Sequence, residues 1–322
     1  MIKLAFIGCG GIARQHIAAA MNCPDAAIVG YCDPSPNALE LVRALAPAAA
    51  YHDWDELLTE ARPDAVVVSV PHSLHVAAIT AALRHGAHVL CEKPLAPSAA
   101  EARQLVELAQ ARGRLLGLRY QCHADGAWGW IQRHVAAGAF GPVHYVQALL
   151  WQNWVGEGWR GDPDLACGGE LNDAGSHLVD AMLWSTGLRP TAVTALTDNR
   201  DLRVERLASL SFRFAGGLGS LSIVGETAEP GYDSTLEVWC RDARVSLRGF
   251  SDGTVAVNGR PVPRMDMPPL PDEGVGNFIR AIHGEAPLQA APECGVLVAA
   301  FTAAAYQSAR EGRVVPLGRN DG

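Results

Sequence analysis

The feature that most constrains this chain is an apolar run that breaks into glycines and restarts at once with helical character. Ile2 to Ile7 is apolar apart from Lys3, Gly8-Cys9-Gly10-Gly11-Ile12-Ala13 follows directly, and a helical pattern then runs from Ile12 to Met21. A strand, a glycine turn and a helix in this order match G-x-G-x-x-A, a dinucleotide pattern. Gly8 permits the tight turn. Gly10 lets the backbone approach a pyrophosphate, which helix N-terminal amides and the helix dipole favour. Ala13 lets helix and strand pack closely. A second strand, from Ala27 to Cys32, ends at Asp33, twenty residues after Ala13. A carboxylate there accepts hydrogen bonds from a ribose diol and repels a 2′-phosphate. No arginine follows Asp33 directly, so the expected cofactor is NAD, with NADP less favoured.

The same alternation continues to about residue 120. Val66 to Val70 is a β-branched run stopped by Pro71, Leu74 to His85 is helical, and His88 to Cys91 is a short strand. Ser98 and Glu101 form a capping box for a helix reaching about Arg112, and Leu115 to Tyr120 gives one more strand. Repeated strand–helix units of this length predict an α/β fold with a doubly wound parallel sheet over residues 1–120.

The rhythm then changes. A helix from about Trp128 to Ala137 precedes a strand from Val143 to Trp151, and another helix lies around Ser176 to Trp184. Between Thr191 and Val257 the period is two: Leu210, Phe212 and Phe214 alternate with Ser209, Ser211 and Arg213. Leu221 and Ile223 alternate with Ser220 and Ser222 across a Gly216-Gly217 turn. This predicts a large, mostly antiparallel open sheet with one buried face, in a second α/β domain over residues 121–322. A proline-rich loop from Pro261 to Pro271 leads to two closing helices.

Composition narrows the partners. Acidic residues outnumber basic ones, 34 to 26, for a net charge of -8, without a basic cluster. Nucleic acid and anionic membranes therefore have little electrostatic support. No apolar stretch reaches the ~20 residues of a membrane span, and Leu4 to Ile7 is too short for a signal peptide. A cytoplasmic location is expected. Eight cysteines contain no Cys-x-x-Cys, and the pairs His72/His75 and His85/His88 lack carboxylate or thiol company, so no metal site is expected.

Only two of the 26 basic residues are lysines, Lys3 and Lys93. In a chain so biased to arginine, Lys93 stands out, because an ammonium is a compact point charge with an adjustable pKa. It follows the strand His88–Cys91, and ligands of open α/β sheets bind at the carboxyl ends of strands. Further on, Asp173 and His177 are spaced to share one face of a helix, with Asp180 three residues beyond. A histidine there can accept a hydroxyl proton.

Taken together, the glycine motif, Glu92-Lys93-Pro94 and Asp173-x-Gly175-x-His177 resemble the Gfo/Idh/MocA oxidoreductases. Pro71 to His75, Gly86 to Pro94, Gly138 to Gly141 and Asn277 to Ile279 extend the resemblance over nearly the whole chain. It implies an N-terminal Rossmann domain, a C-terminal domain with a large sheet, and catalytic roles for Lys93, Asp173 and His177. It also implies cofactor contacts at Gly8, Gly10, Gly11, Ile12, Ala13, Asp33, Pro71, His75, Glu92 and Lys93. Cys167, Glu170, Asn172, His72, Gln121 and Cys122 depart from the residues usual in the family. Those positions border the pocket in the family, so the departures bear on the substrate rather than the chemistry.

The implied activity is hydride transfer between NAD(P) and a secondary alcohol of a sugar, cyclitol or sugar derivative. An NAD-dependent glycosidase that oxidises its sugar transiently needs the same residues, and a non-catalytic NAD-binding sensor needs fewer. Trp154 and Trp159 are further substrate candidates, since indole faces pack on sugar C–H groups, and Asn172 joins them with Lys93, Asp173 and His177. The small polar strand faces of Ser209, Ser211, Ser220 and Ser222 suit flat sheet packing in a homodimer or homotetramer.

Overall fold

The computed structural model describes residues 1–228, 230–270 and 274–318. The chain divides into two compact units. One comprises Met1–Ala96, Ala100–Arg119 and Asp272–Gly295, the other Pro97–Ala99, Tyr120–Pro271 and Val296–Gly322.

In the first unit, strands and helices alternate: β1 (Ile2–Ile7), α1 (Gly11–Met21), β2 (Ala26–Cys32), α2 (Pro36–Leu45), β3 (Ala49–Tyr51), α3 (Trp54–Glu60), β4 (Ala65–Val68), α4 (His75–Arg84), β5 (His88–Cys91), α5 (Ala99–Ala111) and β6 (Leu116–Leu118). The strands form one sheet in the order β3-β2-β1-β4-β5-β6, and every pairing is parallel. The order reverses between β1 and β4, the switch point where such sheets open a crevice for ligands. β4 and the Leu4–Ile7 stretch of β1 are buried on both faces, which explains their apolar runs, whereas Lys3 near the start of β1 is exposed.

The segment returning to this unit is α9 (Val275–Ile282). The sequence alone suggests one break at residue 120, but contacts group α9 with the first unit. The reason is amphipathic spacing: Val275, Phe278 and Ile279 lie on one helix face and join the core of Leu4, Phe6, Val67 and Leu90.

The second unit opens with α6 (Gly126–Ile131), capped by Asp125, whose carboxylate accepts from the amides of Ala127 and Trp128. The single helix expected over residues 128–137 is instead α6 followed by a π-helical turn over Gln132–Ala136. Next come β7 (Val143–Gln152), α7 (Pro163–Ala166) and α8 (Ala174–Thr186). After them run β8 (Pro190–Asp198), β9 (Leu207–Phe214), β10 (Gly217–Val224), β11 (Tyr232–Cys240), β12 (Arg244–Arg248), β13 (Thr254–Val257) and β14 (Arg260–Pro261). The helix α10 (Pro292–Glu311) and β15 (Val315–Pro316) close the described chain. Pro271, the expected end of the proline-rich loop, lies outside the described residues.

The second sheet has nine strands in the order β14-β13-β12-β11-β7-β10-β9-β8-β15. It is antiparallel throughout except for β7 with β10. β9 alternates strictly: Leu210, Phe212 and Phe214 are buried while Ser209, Ser211 and Arg213 are exposed. That is the one-face-buried pattern read from the sequence. Among the described residues, no helix is long and apolar enough to cross a membrane.

Candidate active site

Strand register brings one set of candidates to a common edge. Cys32 pairs with Ile7, Ile7 with Val68, and Val68 with Cys91, so these four strand ends form a row. The next residues, Asp33, Gly8, Ser69 and Glu92, leave the sheet together at its carboxyl edge. Gly8 sits at φ +89°, and an added Cβ would lie 2.4 Å from the Ser69 carbonyl oxygen. No side chain fits there. Gly10 precedes α1 and gives its first amides no side-chain cap. A Cβ on Gly10 would meet nothing within 4 Å, so the helix start is open. Gly10, Gly11 and Ile12 are exposed, whereas Ala13 is buried and acts by packing.

Asp33 is tied to this loop. Its Oδ2 accepts from the Cys9 amide at 2.8 Å and its Oδ1 from the Ser35 amide at 2.8 Å. The carboxylate stays partly exposed at the end of β2. An open, uncapped helix start beside a fixed carboxylate fits the pyrophosphate and ribose of a dinucleotide. The neighbouring thiols are inert by burial: Cys9 and Cys32 are both pushed up to about 12.

Lys93 follows Glu92 at the same edge, half-buried, joined to Pro94 by a cis peptide bond. Glu92 is buried. Its Oε1 lies 2.8 Å from His16 Nε2, on the inward face of α1, and its Oε2 accepts from the Lys93 amide at 3.3 Å. Glu92 thus links the lysine's backbone to the helix that starts at the glycine turn. Pro71 is partly exposed, but His75 is wholly buried. The His75 ring nitrogens lie 2.7 Å from the Pro94 carbonyl oxygen and 3.0 Å from that of Val70. Burial pushes its pKa down. The cofactor contact expected of His75 is therefore replaced by a bracing role between two loops.

The other candidates surround the start of α8. The expectation that Asp173 and His177 share a helix face needs correction. Asp173 is the residue before the helix, with ψ −93°, and its carboxylate turns elsewhere. Its Oδ2 accepts from Trp154 Nε1 at 3.0 Å and from Arg160 Nε at 2.8 Å. His177 lies in the first turn of α8, partly exposed, with Tyr120 and Phe250 edge-on at 6.0 and 5.9 Å between ring centroids. Asp180 is not an open third member: its Oδ2 lies 2.9 Å from His123 Nε2, and both are buried.

Two substrate candidates serve the framework. Trp154 is buried, and its N–H is committed to Asp173. Asn172 is also buried, and its Nδ2 donates to the carbonyls of Ala166 and Cys167 at 3.1 and 3.3 Å. Through that nitrogen Asn172 clamps the turn where Cys167 adopts φ +56°. Trp159 remains at the surface of the loop, with the Arg160 guanidinium carbon 4.6 Å from its ring centroid.

Sequence reasoning did not single out Arg160 or Glu205. Glu205 is buried, and its carboxylate accepts from the amides of Gly169 and Leu171 and from the Tyr306 hydroxyl, at 2.8, 3.0 and 2.8 Å. Burial pushes its pKa up, against these donors. Gly169 has no room for a side chain, since its Cβ would lie 2.1 Å from the Glu205 carbonyl oxygen. Glu205 therefore sets the path of the chain into Asp173. Its only sequence signal was a charged residue in an otherwise unremarked loop.

Comparison with known proteins follows the same division. The profile described as "Oxidoreductase family, NAD-binding Rossmann fold" matches residues 2–120, and the GFO/IDH/MocA C-terminal domain matches residues 129–246. The chain belongs to the Gfo/Idh/MocA oxidoreductase family. The D-glucoside 3-dehydrogenase of Escherichia coli is 27% identical over 190 residues, 58% of this chain and 54% of that protein. The inositol 2-dehydrogenase of Burkholderia multivorans is 30% identical over 190 residues, 58% of this chain and 55% of that protein. The chain thus spans about half the length of these curated relatives. The WlbA dehydrogenase of Bordetella pertussis, solved with NADH and UDP-GlcNAcA, shares the fold at 24% identity. Its TM-score is 0.86, with 99% of each chain covered. The six-stranded unit of this Gfo/Idh/MocA protein is the family's NAD-binding domain.

Proposed function

We propose that this protein is an NAD-dependent dehydrogenase or reductase acting on a secondary alcohol of a polyhydroxylated ring. The observation that carries the reading is the row of strand ends that sets Gly8, Asp33 and Glu92-Lys93 along one sheet edge. A binding protein has no need of an acid–base set of Lys93, Asp173 and His177, and the named activities of the glucoside and inositol dehydrogenases support a sugar or cyclitol substrate.

When bound, the nicotinamide supplies the carbon that exchanges hydride with the substrate. The amides at the start of α1 hold the pyrophosphate, and Asp33 accepts from the ribose hydroxyls. Lys93 donates a hydrogen bond to the reacting oxygen and favours its alkoxide character. His177 takes the hydroxyl proton. Asp173, held by Trp154 and Arg160, orients the substrate. We also propose a cytoplasmic homodimer or homotetramer that pairs through the exposed face of the nine-stranded sheet.

The experiment is a panel of sugars, cyclitols and sugar acids with NAD and with NADP, followed by nicotinamide absorbance. Turnover with NAD and a cyclic polyol is expected. Release of aglycone without NADH accumulation would instead favour a glycosidase, and absence of any turnover would leave a sensor.

A further inference from the structure

Arg160 is placed by two contacts that leave its outer edge unused. It sits in a helical turn, Gly158–Gly161, in the loop after β7. Its Nε donates to Asp173 Oδ2 at 2.8 Å, and its guanidinium lies 4.6 Å from the Trp159 ring centroid. The first contact fixes one edge of the guanidinium and the second restrains its plane. The side chain remains 43% exposed, whereas Asp173's is only 10% exposed. Among the described residues, Asp173 is the only hydrogen-bond acceptor of the Arg160 guanidinium, and it is reached through Nε, so the fork formed by Nη1 and Nη2 has no protein acceptor.

We infer that this fork is a subsite for the carboxylate of an acidic sugar, so that the preferred substrates are uronic acids or related sugar acids rather than neutral sugars. The inference rests on the proposed action on a polyhydroxylated ring, and it narrows that ring's class. Ring hydroxyls are recognised well enough by indole and amide groups, whereas a restrained guanidinium edge matches two carboxylate oxygens side by side. Part of the ordering cost is met before binding, because the Trp159 and Asp173 contacts already restrict the side chain. Asp173 also sets the sign and size of the preference. Its carboxylate neutralises much of the arginine's charge, so the gain comes mainly from paired hydrogen bonds and is modest, roughly tenfold. A phosphate dianion would feel both the arginine's attraction and the carboxylate's repulsion doubled, so selection against a sugar phosphate rests on the match of the planar fork to two carboxylate oxygens.

The test uses the full-length protein with saturating NADH. Calorimetric titrations compare glucuronate, galacturonate and mannuronate with the matching neutral sugars and with glucose 6-phosphate. Wild type, Arg160→Met and Arg160→Lys are measured in parallel. Wild type should bind at least one acid roughly tenfold more tightly than its neutral partner. The ratio should fall to near one in Arg160→Met and lie between in Arg160→Lys, which keeps charge but loses the fork. Equal binding of acid and neutral sugars in wild type overturns the subsite, as does a preference that Arg160→Met leaves unchanged. Stronger binding of the sugar phosphate assigns the anion differently and also overturns it. The two readings fail separately. Arg160-dependent uronate binding without turnover of any substrate defeats the dehydrogenase reading alone, and turnover of neutral sugars without an acid advantage defeats this one alone.

Discussion

The two candidate regions use different parts of the polypeptide. At the edge of the six-stranded sheet, the surface offered to a ligand is mostly main chain. Gly8 is forced into its turn by the Ser69 carbonyl, Gly10 and Gly11 leave the start of α1 open, and Asp33 and Lys93 contribute charge. At the start of α8 the contacts run mainly through side chains. Glu205 secures the loop from beneath, Trp154 and Arg160 fix Asp173, and His177 stays partly exposed. A region built on amides fails through steric change. One built on a network of side chains fails through charge and hydrogen bonding.

Substitutions can break this contrast, and the largest effect is expected at Lys93. Lys93→Met and Lys93→Arg should each lower kcat by roughly a hundredfold or more, the scale of positioned acid–base and electrostatic groups. NADH affinity should remain within about threefold, because the amides of α1 and the Asp33 carboxylate are untouched. Stopped-flow binding and steady-state kinetics read the two quantities separately. Near-native turnover in Lys93→Arg would reduce this lysine to composition.

Next in size is Asp33→Ser, which removes the carboxylate but leaves a small polar side chain. The ratio of kcat/KM for NAD over NADP should fall by about tenfold or more as repulsion of the 2′-phosphate is lost. A wild-type preference for NADP contradicts the assignment outright.

Effects on stability are expected as well, and their pH dependence has opposite signs in the two regions. His75 has its pKa pushed below 6.5 by burial, so the unfolded chain binds the proton more readily. Its contribution to stability is lost as pH falls below 6.5. Glu205 has its pKa raised above 4.5, so the folded chain binds the proton more readily, and its contribution falls as pH rises from 4.5 toward the raised value. Urea midpoints of wild type against His75→Asn and Glu205→Gln, measured across pH, should therefore diverge in opposite directions. Glu205→Gln should also cost about 2 kcal/mol at neutral pH, because its amide faces donors that a carboxylate accepted.

How much of this could be read from the sequence follows from how far apart the interacting residues lie. Gly8, Gly10, Ala13 and Asp33 were legible because strand, turn and helix are consecutive and their spacing states the geometry. The alternation of Leu210, Phe212 and Phe214 with serines disclosed the buried face of β9 for the same reason. The partners of Asp173 were not legible. Trp154 and Arg160 reach it from an irregular loop with no period, and an i, i+4 spacing suggested a shared helix face that a cap residue does not have. Glu205 and Tyr306 meet across 101 residues, so no local pattern records their bond. Asn172 and His75 carried the right chemistry for ligands, yet nearby carbonyls engage the Asn172 amide nitrogen and both His75 ring nitrogens. The return of α9 to the first unit depends on which core its apolar face meets, which amphipathicity alone does not state.

The contrast between the two regions predicts a cofactor held by the main-chain edge and proton transfer by the side chains of α8. The most direct measurement pairs NADH dissociation constants with the pH–rate profile of His177→Ala. NADH affinity should stay within about threefold of wild type. The kcat should fall by about a hundredfold near neutral pH and recover partly at high pH, where hydroxide substitutes for the missing base. A variant that loses NADH binding, or that keeps wild-type kcat and its pH dependence, contradicts the account.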